Sequence, residues 1–105
     1  MDSKKNKSFG DFIRYYREKA NLPLRTVADD LNIDHSLLGK IERNERQPTK
    51  EFIRQVATYY KANEKDLIKE YLSDQIAYRI LDEDENIEIL KVAEKKIKYM
   101  TKHKK

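Results

Sequence analysis

No cysteine occurs in this chain, and it holds only two glycines, two prolines and two histidines. Without cysteine, disulfide staples, thiolate zinc sites and cysteine nucleophiles are excluded together, and a reducing compartment, the cytoplasm, is the expected home. The scarcity of glycine and proline argues against a sheet protein, whose turns need them. No apolar run approaches the roughly 20 residues of a membrane span. The start, MDSKKNKSFG, lacks the apolar stretch of an export signal, so neither membrane partner nor export is expected. His35 and His103 lie far apart in sequence, so no metal site is expected, and nothing implies a cofactor.

What is present is charge: 40% of residues are charged against 38% apolar, with a net charge of +4. The excess is not spread evenly. Residues 1–62 carry 13 basic and 9 acidic side chains, and residues 63–105 carry ten of each. A basic N-terminal part is compatible with phosphate binding without requiring it. The carboxylates at Asp29-Asp30 and from Asp82 to Glu85 fall into no recognisable acid-base arrangement and read as solvated faces, so no enzymatic activity is expected.

The apolar spacing predicts an all-α chain. Residues 1–7 have nothing to bury and are expected to form a flexible basic arm. Ser8 caps a first helix with Phe9, Phe12, Ile13 and Tyr16 inward, which ends near Asn21-Leu22-Pro23. A short second helix buries Leu24, Val27, Ala28 and Leu31 and closes at Asn32, a residue that tolerates the left-handed conformation. Asp34 caps a third helix anchored by Leu38 and Ile41. Thr49 caps a fourth, with Phe52, Ile53, Val56, Ala57 and Tyr60 inward, and Asn63 a fifth, running toward Leu81. After the acidic run, a sixth helix spaces Leu90, Ala93, Ile97 and Met100 at alternating steps of three and four, the seam of a coiled coil.

The informative stretch is Leu22 to Asn44. Ala28 is small where the second helix must pass close to the third, and Ile33 plugs the turn between them. With Leu38 and Ile41 inward, His35, Ser36, Gly39 and Lys40 share the outward face, and the first turn of the third helix is free to enter a major groove. From Phe9 to Leu67, the chain resembles the XRE-like helix-turn-helix regulators of the Cro and lambda-repressor type. The resemblance rests on Val27-Ala28, Leu31-Asn32-Ile33, Ile41-Glu42-Arg43 and Pro48, with Asn44 where the family usually has glycine. Three positions depart from the pattern: Pro23 stands in place of a hydroxyl cap, Leu24 in place of a phosphate-touching glutamine, and Gly39 removes a side chain from the reading face.

The resemblance implies a five-helix lambda-repressor-like DNA-binding domain over residues 8–67. The helical extension that follows, residues 68–105, bears apolar positions on more than one face, more than a peripheral cap needs, and is expected to serve dimerisation. The resemblance also implies base contacts from Asp34, His35, Ser36, Gly39 and Lys40, with Lys40 suited to guanine O6 and N7. Phosphate contacts are expected from Arg25, Arg43, Arg46, Gln47 and Lys50, and a structural bridge between Arg17 and Glu42. The apolar positions Leu72, Ile76, Ile80, Leu90, Ala93, Ile97 and Met100 are expected to form a homodimer interface. The expected function is a dimeric regulator that binds double-stranded DNA at a (pseudo)palindromic operator, is autoregulatory, and acts by its position relative to RNA polymerase. Small size and added C-terminal helices are similar to the controller proteins of restriction-modification systems. Phage Cro-like repressors and antitoxins of the same fold compete with that reading, as does a protein-bridging adaptor that no longer reads bases.

Overall fold

The structure is a computed structural model that describes residues 8–103; the expected N-terminal arm, residues 1–7, lies outside the described residues. Six helices and no strand are present among them: α1 Phe9–Lys19, α2 Leu24–Leu31, α3 His35–Glu42, α4 Lys50–Tyr60, α5 Glu64–Ile80 and α6 Asn86–Lys102. The protein is all-α.

The first four helices end in the same way. Asn21, Asn32, Asn44 and Lys61 take φ values of 58°, 59°, 62° and 58°. In each case the next amide reaches back to close the helix: Leu22 N–H donates to Arg17 O at 3.2 Å, Ile33 to Ala28 at 3.0 Å, Glu45 to Lys40 at 2.8 Å and Ala62 to Ala57 at 2.8 Å. This closure usually falls on glycine, and asparagine is the commonest alternative because its short polar side chain tolerates the left-handed region. Asparagine at three of the four ends explains how so glycine-poor a chain turns so often.

The helix starts are capped from the sequence as expected. Asp34 accepts from the amides of Ser36 and Leu37 at 3.0 and 3.3 Å, Thr49 from Phe52 at 3.0 Å and Asn63 from Asp66 at 3.0 Å. At Ser8 the reciprocal bond of a capping box is present, Ser8 N–H donating to Asp11 Oδ2 at 3.1 Å. Pro23 gives α2 no side-chain cap.

The chain divides into two compact units, one up to Asp74 and one from Gln75. The core of the first joins Phe9, Ile13, Val27, Ala28, Leu31, Leu38, Ile41, Phe52, Ile53, Val56, Ala57 and Leu67. Tyr16 and Tyr60 stack at 5.7 Å between ring centroids at its edge. This unit extends past Leu67 because α5 is tied to the start of α1. Tyr71 meets the Phe9 ring edge-on at 6.3 Å, and the Asp74 carboxylate accepts from the Phe9 amide at 2.7 Å. The second unit holds the rest of α5 and all of α6, a helix with no buried residue.

One residue governs how α1 meets α3. A Cβ at Gly10 would collide with Ile41 O and lie 2.6 Å from Asn44 Oδ1 and 2.8 Å from Glu42 O. Glycine is therefore required by the close approach, and its freed amide donates to Asn44 Oδ1 at 2.9 Å. Asn44 thus serves twice, as the left-handed closure of α3 and as an acceptor for α1.

Candidate nucleic-acid interface

The α2-turn-α3 unit is held from beneath by Val27, Ala28, Leu31, Leu38 and Ile41, all buried, and locked from the side by a bidentate ion pair. Arg17 Nε lies 2.8 Å from Glu42 Oε2, and Nη2 lies 3.0 Å from Oε1. The remaining nitrogen, Nη1, donates to Leu22 O at 2.9 Å, bracing the chain just ahead of α2. Glu42 is 4% exposed, the one buried charged residue among those described. Its hydrogen bond holds the Arg17 guanidinium above its ordinary pKa, with burial opposing. Burial, then the Glu42 charge, push the neighbouring Tyr60 hydroxyl well above its ordinary range. These groups are structural: each of the three guanidinium nitrogens of Arg17 is engaged within the protein.

With that scaffold set, the first turn of α3 stands outward. Asp34, His35, Ser36 and Lys40 are exposed. Asp34 Oδ2 is occupied by the two amides it caps, leaving Oδ1 without a protein donor among the described residues. The His35 ring is engaged with α2, its Nε2 2.7 Å from Asp29 Oδ1. A base contact through that nitrogen requires the pair to exchange. Gly39 departs from expectation: it is buried, not on the outward face. A Cβ there would lie 3.1 Å from Arg43 Nη1 and 3.9 Å from Leu24 Cδ2, so the space left by the missing side chain is covered by Arg43, one turn along the helix, and flanked by Leu24 from α2.

The flanking cations differ in their freedom. Arg25, Arg46 and Lys50 are exposed and form no ion pair with a described residue; the same holds for Lys40. Gln47 is exposed in the same loop. Arg43 is paired through Nε with Glu45 Oε2 at 3.1 Å and through Nη2 with Oε1 at 3.3 Å, both side chains 55% exposed. Exposed pairs of this kind contribute about 0–1 kcal/mol and exchange readily for a phosphate. Arg43 also lines an open cleft of about 220 Å³ with Arg14, Arg17, Leu24, Gly39 and Glu42. At its mouth Arg14 pairs with Glu18 at 3.0 Å.

Sequence reasoning missed three local partnerships: His35 with Asp29, Arg43 with Glu45, and Tyr59, whose hydroxyl donates to Asp30 Oδ2 at 2.6 Å. That bond is the main reason the Tyr59 pKa is pushed up to about 12. The partners lie 6, 2 and 29 positions apart, none at a helical spacing, and nothing in a one-dimensional pattern selects them. Gly10 carried the one available signal, a glycine inside a helical pattern, which marks a close backbone approach.

Two short helices at a tight left-handed turn, the second with its first turn exposed between cationic flanks, define a DNA-binding helix-turn-helix regulator. A family model described as a helix-turn-helix domain matches residues 8–69, more than half of the chain. The chain belongs to that helix-turn-helix family, whose members are typically not enzymes. Neither the curated proteins nor the solved structures compared with the chain include a significant match. Among the described residues no helix is long and apolar enough to cross a membrane.

Proposed function

We propose that the protein is an XRE-like transcription regulator of the Cro and lambda-repressor type, acting as a homodimer on a (pseudo)palindromic operator near its own promoter, and within that type a controller of a restriction-modification system. The observation that carries the reading is the exposed first turn of α3, with Ser36 and Lys40 unencumbered and His35 beside them. Lys40 and His35 read base edges, Ser36 adds an adaptable donor and acceptor, and Asp34 offers its free oxygen to a cytosine amine. Gly39 contributes no side chain; its role is to let Arg43 fold across α3. Arg25, Arg46 and Lys50, with Gln47 and Arg43, neutralise phosphates on either side and fix the register without reading sequence. The uncapped start of α2 adds free amides next to Arg25.

Dimerisation is supported by the apolar residues left in solvent: Leu72 is 41% exposed, Ile76 50%, Leu90 43%, Ile97 59% and Met100 63%, while Ile80 and Ala93 are half-buried. A single helix-turn-helix reads only a few base pairs, so two symmetric copies on an inverted repeat roughly double the contacts. Occupying a site near the promoter then represses or activates according to its position relative to RNA polymerase.

The test is selection of binding sites from random duplex DNA, with the double variant His35→Ala, Lys40→Ala run beside the wild type at one salt concentration. Enrichment of an inverted repeat by the wild type and its loss in the variant is the expected outcome. Both side chains are exposed, so loss cannot be charged to unfolding. No enrichment by either protein would remove base readout and leave a bridging adaptor of the same fold.

A further inference from the structure

The sixth helix carries an apolar seam that its own chain leaves uncovered. Leu90, Ala93, Ile97 and Met100 recur at steps of three and four, and none of α6 is buried. Seventeen residues of helix span about 25 Å, enough for four layers of a two-helix seam. A seam alone does not say what lies on it. The charges beside it do.

From Asp82 to Glu88 there are five carboxylates and no cation, and from Lys95 to Lys102 four ammonium groups and no anion. Two weak exposed pairs use a little of this charge within the helix: Lys91 with Glu88 at 3.8 Å, and Lys98 with Glu94 at 3.3 Å. Asp82 to Glu85 and Lys95, Lys96 and Lys102 form no ion pair with a described residue. The polarity also suits the dipole of α6 itself, negative at its start and positive at its end. That intrinsic benefit does not remove the consequence for pairing. A helix whose two ends carry opposite charge is complementary to itself when reversed, and repels itself when aligned. The ends are separated by more than the roughly 8 Å over which salt screens exposed charges, so orientation decides which charges meet.

We propose, resting on the dimeric reading above, that α6 pairs with α6 of a second copy in antiparallel orientation, so that Glu88 and the carboxylates before it lie toward the Lys102 end of the other helix. The seam sets the register. Leu90 meets Met100 of the second copy and Ala93 meets Ile97, a small residue against a large one. The same register brings Glu88 opposite the Lys102 end. Antiparallel pairing has a twofold axis across the helices, the closed symmetry that lets two identical subunits share one self-complementary patch.

The absence of cysteine makes the test direct on the full chain. Tagged Leu90→Cys is mixed with untagged Met100→Cys, allowed to exchange subunits and gently oxidised, with each variant oxidised alone and mass measured by light scattering. Ala93→Cys with Ile97→Cys serves as a second pair, and helicity by circular dichroism checks each variant. Disulfide geometry demands side chains within a few ångströms. Antiparallel pairing therefore gives mixed disulfide at least about tenfold over self-linked product. Self-linking of each variant with no mixed product would mean parallel helices and overturn the proposal. A dimeric mass with neither product would leave the dimer standing and remove α6 from its interface. A monomeric mass would overturn both.

Discussion

Replacing Arg17 by alanine removes every hydrogen bond that Glu42 receives from a side chain, leaving a carboxylate 4% exposed without a counter-charge. Breaking a buried pair from one side costs about 3–5 kcal/mol, because the survivor stays desolvated. Here the lower end applies, about 3 kcal/mol, since the Arg17 side chain keeps 15% of its exposure and water can reach the gap. For a domain of this size such a loss lowers the melting temperature by roughly 12–24 °C. The double variant Arg17→Met, Glu42→Leu should behave differently: with no charge left buried it should recover most of the loss, as replacement of buried pairs by apolar residues often does. Urea unfolding of the wild type, both single variants and the double variant reads the coupling directly. A cost under about 1 kcal/mol for Arg17→Ala, the value of an exposed pair, or a double variant no better than the worse single one, would refute the reasoning that this pair holds α3 as a buried, desolvated unit.

Two glycine substitutions should separate sharply. Gly10→Ala drives a methyl into the carbonyls of Ile41 and Glu42, which cannot move without unwinding α3, and should cost about 2–3 kcal/mol in urea unfolding. Gly39→Ala is crowded only by the flexible end of Arg43, with Leu24 at ordinary contact distance, so the gain of up to about 1 kcal/mol in helix propensity should leave stability unchanged or raised. Asp34→Ala removes the cap of α3 and should cost about 1 kcal/mol by the same assay. Asp30→Asn should bring the Tyr59 pKa down from about 12 toward the ordinary 10, read from tyrosinate absorbance. Because the folded state holds this proton more tightly than the unfolded chain, the contribution is fully present below pH 10 and is lost as the pH rises through about 12. The variant should accordingly unfold less steeply over that alkaline window.

The helices of the DNA-binding unit were legible because their signals are local. Asn32, Asp34, Thr49 and Asn63 mark ends and starts through their own side-chain chemistry, and Leu38 and Ile41 sit at a spacing that only a helix turns to one side. Less legible was the boundary at the C-terminal side. Family resemblance ends near Leu67, but Tyr71 and Asp74 bind back to Phe9 across more than sixty positions of sequence, and no pattern on α5 announces that partner. The Asp74 contact has an electrostatic logic visible only in three dimensions. Its carboxylate caps a free amide at the positive end of α1, which favours the charge, while burial disfavours it; burial prevails, and the pKa is raised.

On the reading face the sequence specified residue types but not their present engagements. Gly39 looked like a missing contact because periodicity places it outward; it is instead a recess that Arg43 fills, and a recess is a property of the residue four positions on. His35 and Arg43 are both engaged in the structure, with Asp29 and with Glu45. Each contact is exposed, so each holds its side chain by no more than about 1 kcal/mol. On the proposed function, a phosphate or a base edge need displace only partners that weak, whereas it would have to displace the buried Glu42 to reach Arg17. The difference in burial between these pairs, 4% exposure at Glu42 against 55% at Glu45 and 64% at Asp29, separates the arginine that builds the interface from the side chains that are free to use it.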